Sequence, residues 1–364
     1  MTTETYKRVC KNRTSKEDLK QVISESGEEE KMSYLYVTEN NAKIGVAENY
    51  AYAECKDGMT VKIPFETLES INVFGNAQIS TQCIQKCLVK GIPISYYSRG
   101  GSYFGRLHST GHVKVERQRI QAALLHSELA LALSKKIIIS KIHNQIIVLK
   151  RYARSKCVDL SDECRAVKEM QNHIETCKTI PQIMGYEGNA ARIYFKCLGM
   201  LVEPAFSFEK RSRRPPKDAF NSMLSLGYSI LMNEIYGKIE NRGLHPYFGF
   251  LHEDRENHPT LASDLMEEWR AVIVDSLVMS LVNGHEIKSE HFMKSTDDSG
   301  VYLTKEGMSI FIQKIEKKLR QDMKYLEYID YAVPFRRAME LQINSFIQAI
   351  EKQDESYYHP IWIR

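Results

Sequence analysis

From Ser33 onward, apolar residues come in short bursts: Tyr34-Leu35-Tyr36-Val37-Thr38, Lys43-Ile44-Gly45-Val46, Thr60-Val61-Lys62-Ile63-Pro64 and Ile71-Asn72-Val73-Phe74-Gly75. Turn residues such as Asn40-Asn41 and Asp57-Gly58 separate them. β-Branched and aromatic runs bounded in this way predict strands. Helical spacing interrupts them once, over Ser80 to Val89, before strand texture returns at Ile92 to Tyr97 and, after Arg99-Gly100-Gly101-Ser102, at Tyr103 to Leu107. Near Val113 the period changes. From Glu116 to Lys156 Gly and Pro are absent and apolar residues recur every three or four positions, which predicts a helical domain running to the C terminus. Its breaks fall near Gly185 to Gly188, Pro204 to Pro216, Gly243 to Pro259 and Asp297 to Gly300.

The segment before Ser33 has little apolar period, is rich in Lys, Glu, Ser and Thr, and contains Glu28-Glu29-Glu30, so a poorly ordered extension or a docked surface helix is expected there. The pattern therefore predicts an α+β chain: a polar extension over residues 1–32, a β-rich domain over 33–112 and a larger all-α domain over 113–364.

Composition narrows the class. Of 364 residues 43% are hydrophobic and 26% charged, which excludes collagen-like, low-complexity and disordered chains. The most apolar stretch, Ala271 to Val282, is interrupted by Asp275 and falls short of the roughly 20 residues of a membrane span. The first residues lack the apolar run of a secretory signal, so a cytoplasmic protein with no membrane partner is expected. Eight cysteines without a CxxC pair read as reduced thiols. The net charge of +4 is too small to imply a polyanionic partner, so charge clustering matters more.

Four segments carry possible chemistry. Over Thr260 to Val282, Leu261, Leu265, Trp269 and Val272 form an apolar stripe, and Asp264, Glu267 and Glu268 lie on neighbouring helix faces within reach of one ion. An amphipathic helix with a solvated acidic edge would give the same pattern. His252 closes Gly249-Phe250-Leu251-His252, 15 residues before Glu267, and the turn Glu253 to Pro259 can bring the two side by side. Gly185-Tyr186-Glu187-Gly188 sets one acid between glycines at an expected helix start, a place that suits an anion or needs no function beyond capping. Between Lys210 and Lys217 five cations stand on a Pro-containing loop before a helix expected from Ala219 to Tyr236. Such a loop suits a nucleic-acid backbone, or is simply a solvated basic turn.

With Ile63-Pro64, Ile71 to Asn76, Gly91 to Ile94, Gly105-Arg106-Leu107, and Lys141 with Asn144-Gln145, these segments form an ordered set. It continues through Gly185 to Phe195, Arg213 to Pro216 with Asp218 and Asn221, Gly249 to His252, and Asp264 to Arg270. In order and spacing the chain resembles the family of CRISPR-associated integrases and endonucleases, the first of the Cas proteins, from about Ser33 to the C terminus. The resemblance implies a divalent metal, Mg2+ or Mn2+, held by Glu187, His252 and Glu267, with Asp264 in support. It implies DNA strand transfer that inserts short double-stranded fragments into a CRISPR repeat array. Arg213, Arg214 and Lys217 are then the expected DNA contacts. It further implies a homodimer through the N-terminal domain, and two dimers bridged by the small second CRISPR adaptation protein in a heterohexamer-type complex. The residues before Ser33 have no counterpart in that pattern.

Two other readings stay open. A nuclease would use the same triad with water as nucleophile, and a catalytically silent DNA-binding scaffold would need no metal at all. His285-Glu286 with Glu290-His291 is one residue too long for a zinc-protease helix. Neither a GxSxG elbow nor a GxxxxGK[ST] loop occurs, so ATP is not an expected cofactor.

Overall fold

The computed structural model describes residues 5–9, 33–296, 298–324, 329 and 331–364. The chain parts into two compact units between Gly111 and His112.

In the first unit the strands are β1 (Thr5–Val9), β2 (Ser33–Val37), β3 (Ala42–Ala47), β4 (Tyr50–Glu54), β5 (Thr60–Pro64), β6 (Leu68–Phe74), β7 (Ala77–Ile79), β8 (Ile94–Tyr97) and β9 (Tyr103–Leu107). They form a five-stranded sheet in the order β1-β2-β6-β8-β9 and a four-stranded sheet in the order β5-β4-β3-β7. The first sheet is parallel except for β9, and the second is an antiparallel meander with β7 added parallel to β3. Leu35, Val37, Ile44, Ile63, Leu68, Ile71 and Val73 fill the core. At the meander's turn Gly58 takes φ +83°, a left-handed conformation in which a Cβ would be strained.

Helix α1 (Thr81–Lys90) lays Cys83 and Cys87 into that core. It starts where the Ser80 hydroxyl accepts from the Cys83 amide at 3.3 Å, and stops at left-handed Gly91, whose N–H bonds back to the last turn. Between β2 and β9 two strands were not expected from the pattern. In β4, Tyr-Ala-Tyr-Ala-Glu, the inward residues Ala51 and Ala53 are too small to register as an apolar stripe, and β7 is only three residues long. The expectation of an unpaired or helical extension does not hold for Thr5–Val9, a strand parallel to β2. Residues 1–4 and 10–32, Cys10 among them, lie outside the described residues. The described cysteines are free thiols.

The second unit is built from α2 (Val115–Ala123), α3 (Glu128–Lys156), α4 (Ser161–Thr176), α5 (Ile180–Leu201), α6 (Ala219–Asn241), α7 (Thr260–Trp269), α8 (Ser276–Asn283), α9 (Lys305–Leu319) and α10 (Phe335–Lys352). Two short antiparallel ribbons interrupt the helices, β10 (Phe292–Lys294) with β11 (Val301–Leu303) and β12 (Asp322–Met323) with β13 (Val333–Pro334). The Glu116–Lys156 period is carried by two helices, because Ser127 starts a new one by accepting from the Ala130 amide at 3.1 Å. Between α7 and α8 the chain widens into a π-helical turn, Arg270–Asp275. Such turns insert an extra residue and often sit beside functional groups.

Gly185–Gly188 does not break the fold as expected: it lies inside α5, whose first residue is Ile180. Apolar contacts on both flanks override the low helix propensity of two glycines, with Ile183, Ala190 and Tyr194 all buried. Helix α7 is buried on every side, so the solvated acidic edge is excluded. Among the described residues no helix is long and apolar enough to cross a membrane.

Gly227 lets α6 lie against the π-helical turn. A Cβ there would stand 2.5 Å from Val274 Cγ1 and 3.2 Å from Phe311 Cζ. Gly227→Ala is therefore expected to cost about 1–3 kcal/mol by overpacking, read from the denaturant midpoint. An unchanged midpoint would mean that the two elements can separate.

Candidate active site

Five segments of the second unit meet around Glu267 and Lys141. Lys141 lies midway along α3, on the face that also buries Ile138, Ile142 and Gln145. Its ammonium contacts Glu187 Oε1 of α5 at 2.5 Å and Glu267 Oε2 of α7 at 2.6 Å. Arg270, from the π-helical turn, places its Nε 3.1 Å from Glu267 Oε1. His252, from the loop before α7, stands with Nε2 3.9 Å from that same oxygen.

Burial alone would raise the Glu267 carboxyl, but the cations Arg270, Lys141 and His252 outweigh it and hold the pKa down to about 2. For Lys141, burial opposes the charge, and Glu267 with Glu187 more than restores it, so the pKa lies above the ordinary lysine value. Glu267 and Lys141 are therefore both ionised at neutral pH.

Asp264 builds the histidine's seat. It is fully buried, and its Oδ2 accepts the amides of Phe250 and Leu251 at 2.7 and 3.0 Å. Its Oδ1 accepts the His252 amide at 3.1 Å and pairs with the ring Nδ1 at 2.6 Å. With Nδ1 donating there, Nε2 is left as the nitrogen turned toward Glu267. Gly249 makes this wrap possible, since a Cβ would lie 2.7 Å from Asp264 Oδ2 and from the backbone of Thr260. Thr260 ties the loop down by accepting the Gly249 amide at 2.9 Å and donating to the Tyr247 carbonyl at 2.6 Å.

Glu268, expected beside the other two acids of α7, faces away. Its Oε2 accepts the Ile361 amide at 2.7 Å and its Oε1 accepts the Tyr358 hydroxyl. Gln342 joins this cluster, accepting from Trp269 Nε1 at 2.7 Å and donating to the Tyr358 oxygen at 3.2 Å. Asn144 fixes the same C-terminal segment from α3, donating to the Ile361 carbonyl at 3.0 Å and accepting the Ile363 amide at 3.1 Å.

The structure thus brings Glu187, His252 and Glu267 together, with Asp264 behind the histidine. Glu187 is not at a helix start, so the anion-binding role expected of that position does not apply. Its two glycines leave bare backbone, with nothing within 4 Å of a Cβ at Gly185 or Gly188. In the basic loop Arg213, Arg214 and Lys217 are exposed. Arg211 instead turns inward, donating to Asn221 Oδ1 at 2.8 Å and to Ser225 Oγ at 3.1 Å. Its guanidinium lies over one side of the Tyr228 ring system at 5.3 Å from the ring centre, and that of Arg270 lies 4.8 Å from it. The zinc-protease-like residues do not share a helix: α8 ends at Asn283, and His285 pairs with Glu203 at 3.3 Å.

Among the described residues no three His, Cys, Asp or Glu side chains form a ready cage for an ion. Lys141 accounts for this, because its ammonium stands between two of them. The donor set still fits a hard divalent cation. Among the described residues Glu267 Oε2 is a buried oxygen with no hydrogen-bond donor in good geometry, and it contacts the Lys141 cation at 2.6 Å. The two N···O contacts are about half an ångström longer than the ~2.1 Å oxygen contacts of Mg2+. Two carboxylates and one oriented imidazole are the ligands such an ion takes.

Residues 35–317 match the family described as CRISPR associated protein Cas1. The chain belongs to the Cas1 family. It is 34% identical over 321 residues to the CRISPR-associated endonuclease Cas1 of Mycobacterium tuberculosis, covering 88% of this chain and 94% of that one. It is 34% identical over 295 residues to a Thermus thermophilus protein of the same description, covering 77% and 85%. Among solved structures, a Cas1 protein from Thermotoga maritima superposes with a TM-score of 0.75 at 25% identity, covering 88% of this chain and 97% of that one. A chain of a Cas6-RT-Cas1–Cas2 complex gives 0.79 at 25% identity, covering 93% of this chain but only 37% of the larger one. A casposase bound to an integration product shares the fold, with a TM-score of 0.80 at 19% identity over 89% of this chain and 92% of that one. The expected architecture, a β-rich region followed by a helix-rich one, is that of these Cas1 structures. The expectation of a CRISPR-associated endonuclease agrees with the relatives' names.

In this Cas1-family chain Lys141, Arg270 and Glu268 have roles that spacing could not assign. A lysine inside the apolar run of α3 is the one local sign of Lys141, and it does not say which acids would meet it.

Two consequences are measurable. Burial lowers the His252 pKa, but the Asp264 hydrogen bond and charge with the Glu267 charge raise it above the ordinary histidine value. Asp264→Asn is expected to bring it down, followed by NMR titration of the ring, and an unmoved value would separate Asp264 from the imidazole. For Glu268, burial outweighs the hydrogen bonds it accepts and pushes the carboxyl up to about 8. Folded protein then binds a proton that the unfolded chain releases near 4.5. This contribution to stability is full below that pH and is lost as the pH rises through about 8. Glu268→Gln is expected to flatten the fall in denaturant midpoint over that window.

Proposed function

We propose that this Cas1-family chain is a CRISPR-adaptation integrase that inserts short double-stranded DNA fragments into a repeat array by metal-dependent strand transfer. The observation that carries the reading is a cation, Lys141, held between Glu187 and Glu267, with His252 Nε2 3.9 Å from the other oxygen of Glu267. A scaffold without chemistry has no need to set a buried and a half-buried carboxylate around one cation, at a cost that only pairing offsets.

The reaction is an in-line displacement. A fragment's 3′-oxygen forms a new bond to a phosphorus of the repeat DNA while the bond to the former 3′-oxygen breaks, and that oxygen leaves with a proton. Phosphodiester count is conserved, so no covalent enzyme intermediate is required. Glu187, Glu267 and His252 are the residues that would hold Mg2+ or Mn2+, which supplies stabilisation of the charge on the phosphoryl oxygens and acidifies the attacking hydroxyl. Asp264 holds the His252 ring by its Nδ1, so the imidazole presents one fixed nitrogen. Arg270 holds Glu267 from the opposite side and keeps it ionised. The bare backbone at Gly185 and Gly188 leaves room for a sugar-phosphate chain beside Glu187. Hydrolysis with water as nucleophile uses the same centre, and the relatives' description as endonucleases favours keeping it as a second activity.

The exposed Arg213, Arg214 and Lys217 are the DNA-phosphate contacts on this reading. The partners are fragment DNA, repeat DNA and the small second adaptation protein, consistent with a solved complex that includes Cas2. Homodimerisation through the first unit is supported by β9, an edge strand on which Phe104 is 73% exposed.

The deciding experiment uses labelled branched DNA mimicking a half-integrated fragment, with Mn2+ or EDTA. Wild type is expected to rejoin the target strand and release the fragment. Glu187→Ala and His252→Ala should each lose at least about 10³ of that rate, as for removal of a metal-held transition-state contact. Shorter products alone would favour the nuclease, and joining that survives EDTA would sink the metal assignment. Arg213→Ala and Arg214→Ala are each expected to lower the slope of log affinity against log salt by about 1. An unchanged slope would remove the loop from the DNA surface.

A further inference from the structure

We propose that Lys141 is a built-in counter-cation that holds Glu187 and Glu267 together in the metal-free protein and competes with the divalent ion for them. The inference rests on the metal-ligand reading above and adds a residue that the reading does not use.

The argument begins from burial. Lys141 is 8% exposed and Glu267 4%, on helices that belong to different parts of the fold. Left without a cation, two carboxylates facing one point in such an interior would repel, and α5 and α7 would have to move apart or the acids take up protons. The ammonium removes that penalty, with contacts of 2.5 and 2.6 Å to one oxygen of each acid. Arg270 cannot substitute, since its contact is with the other oxygen of Glu267, 3.1 Å away.

The same two oxygens that the ammonium engages are the ones a divalent ion would need. An ammonium and a doubly charged ion cannot both sit between them, so entry of the ion requires Lys141 to give up at least one contact. A flexible four-carbon stem allows that movement without unwinding α3. One turn further along the same face, Gln145 is 4% exposed and its side-chain oxygen has no hydrogen-bond partner among the described residues. Helical side chains lean toward the N-terminal turn, which sets this acceptor on the lysine's side.

Competition predicts two linked effects. Removing the ammonium should tighten divalent-ion binding, because nothing has to be displaced. It should also weaken the metal-free fold, because the acids lose their cation.

The test uses the full chain with Mn2+ alone as probe, reading Kd by calorimetry and Tm by thermal unfolding, with no DNA present. Lys141→Met keeps the stem's length and removes the charge. It is expected to bind Mn2+ at least about fivefold more tightly than wild type, the low end of ordinary coupling between competing ligands. Its metal-free Tm should fall, and the rise in Tm on adding Mn2+ should exceed that of wild type. Lys141→Arg, which keeps a cation, should show neither gain. A Lys141→Met chain that folds only with Mn2+ would be the same result in stronger form.

Wild-type affinity and wild-type Tm shift in Lys141→Met, while His252→Ala abolishes Mn2+ binding, would overturn the counter-cation role and leave the ligand set standing. If wild type binds no Mn2+, or His252→Ala binds it unchanged, the ligand reading fails and this inference with it. If Lys141→Met and Lys141→Gln both fail to fold with or without Mn2+, the lysine serves the fold alone and the proposal is wrong.

Discussion

A carboxylate buried bare is unstable, and the second unit of this chain buries several around helix α7. How each is compensated determines the site. Asp264 is answered by three backbone amides and an imidazole. Glu267 is answered by Lys141, Arg270 and His252, and Glu187 by Lys141. Glu268 has no cation among the described residues; a tyrosine hydroxyl and an amide serve it, and its pKa rises to about 8. Three acids on ten consecutive residues are thereby given three different sets of partners by their surroundings alone.

This division of labour explains why the helices cannot be rearranged freely. Asp264 fixes the loop that carries His252, while Glu268 and Asn144 fix the C-terminal segment against α3 and α7. Glu267 is left between them with its oxygens directed at cations. The rigidity comes from hydrogen bonds whose loss would strand buried polar groups, a larger penalty than the net gain of forming them.

The charge network continues beyond the site. Asp275, at the end of the π-helical turn, accepts from Tyr194 and Tyr228, and burial pushes its carboxyl up to about 6. Tyr194 lies on α5 seven residues after Glu187, and Tyr228 carries the guanidiniums of Arg270 and Arg211 against its ring. Through these contacts the inward arginine of the basic loop and the arginine that holds Glu267 share one aromatic neighbour. The wide turn after Trp269 allows Arg270 and Asp275 to face these partners from a single continuous helical path.

The alternation of short apolar runs marked most strands of the first unit, and the three- and four-residue period marked the helices. Both are local consequences of burying one face. β4 escaped because its inward residues are alanines, and Thr5–Val9 because its strand identity is expressed only in pairing with β2. Glu187, His252 and Glu267 were legible as residue types in a recurring order. The helix start assigned to Glu187 was not correct, since packing of Ile183, Ala190 and Tyr194 carries α5 through both glycines. What the sequence determined by itself was the division into strand and helix texture and the supply of acids, histidine and cations. Only the tertiary structure decided which acid meets which cation. Lys141, Glu187, His252 and Glu267 come from segments far apart in the chain, and their charges interact through distance and burial, neither of which is written in local order.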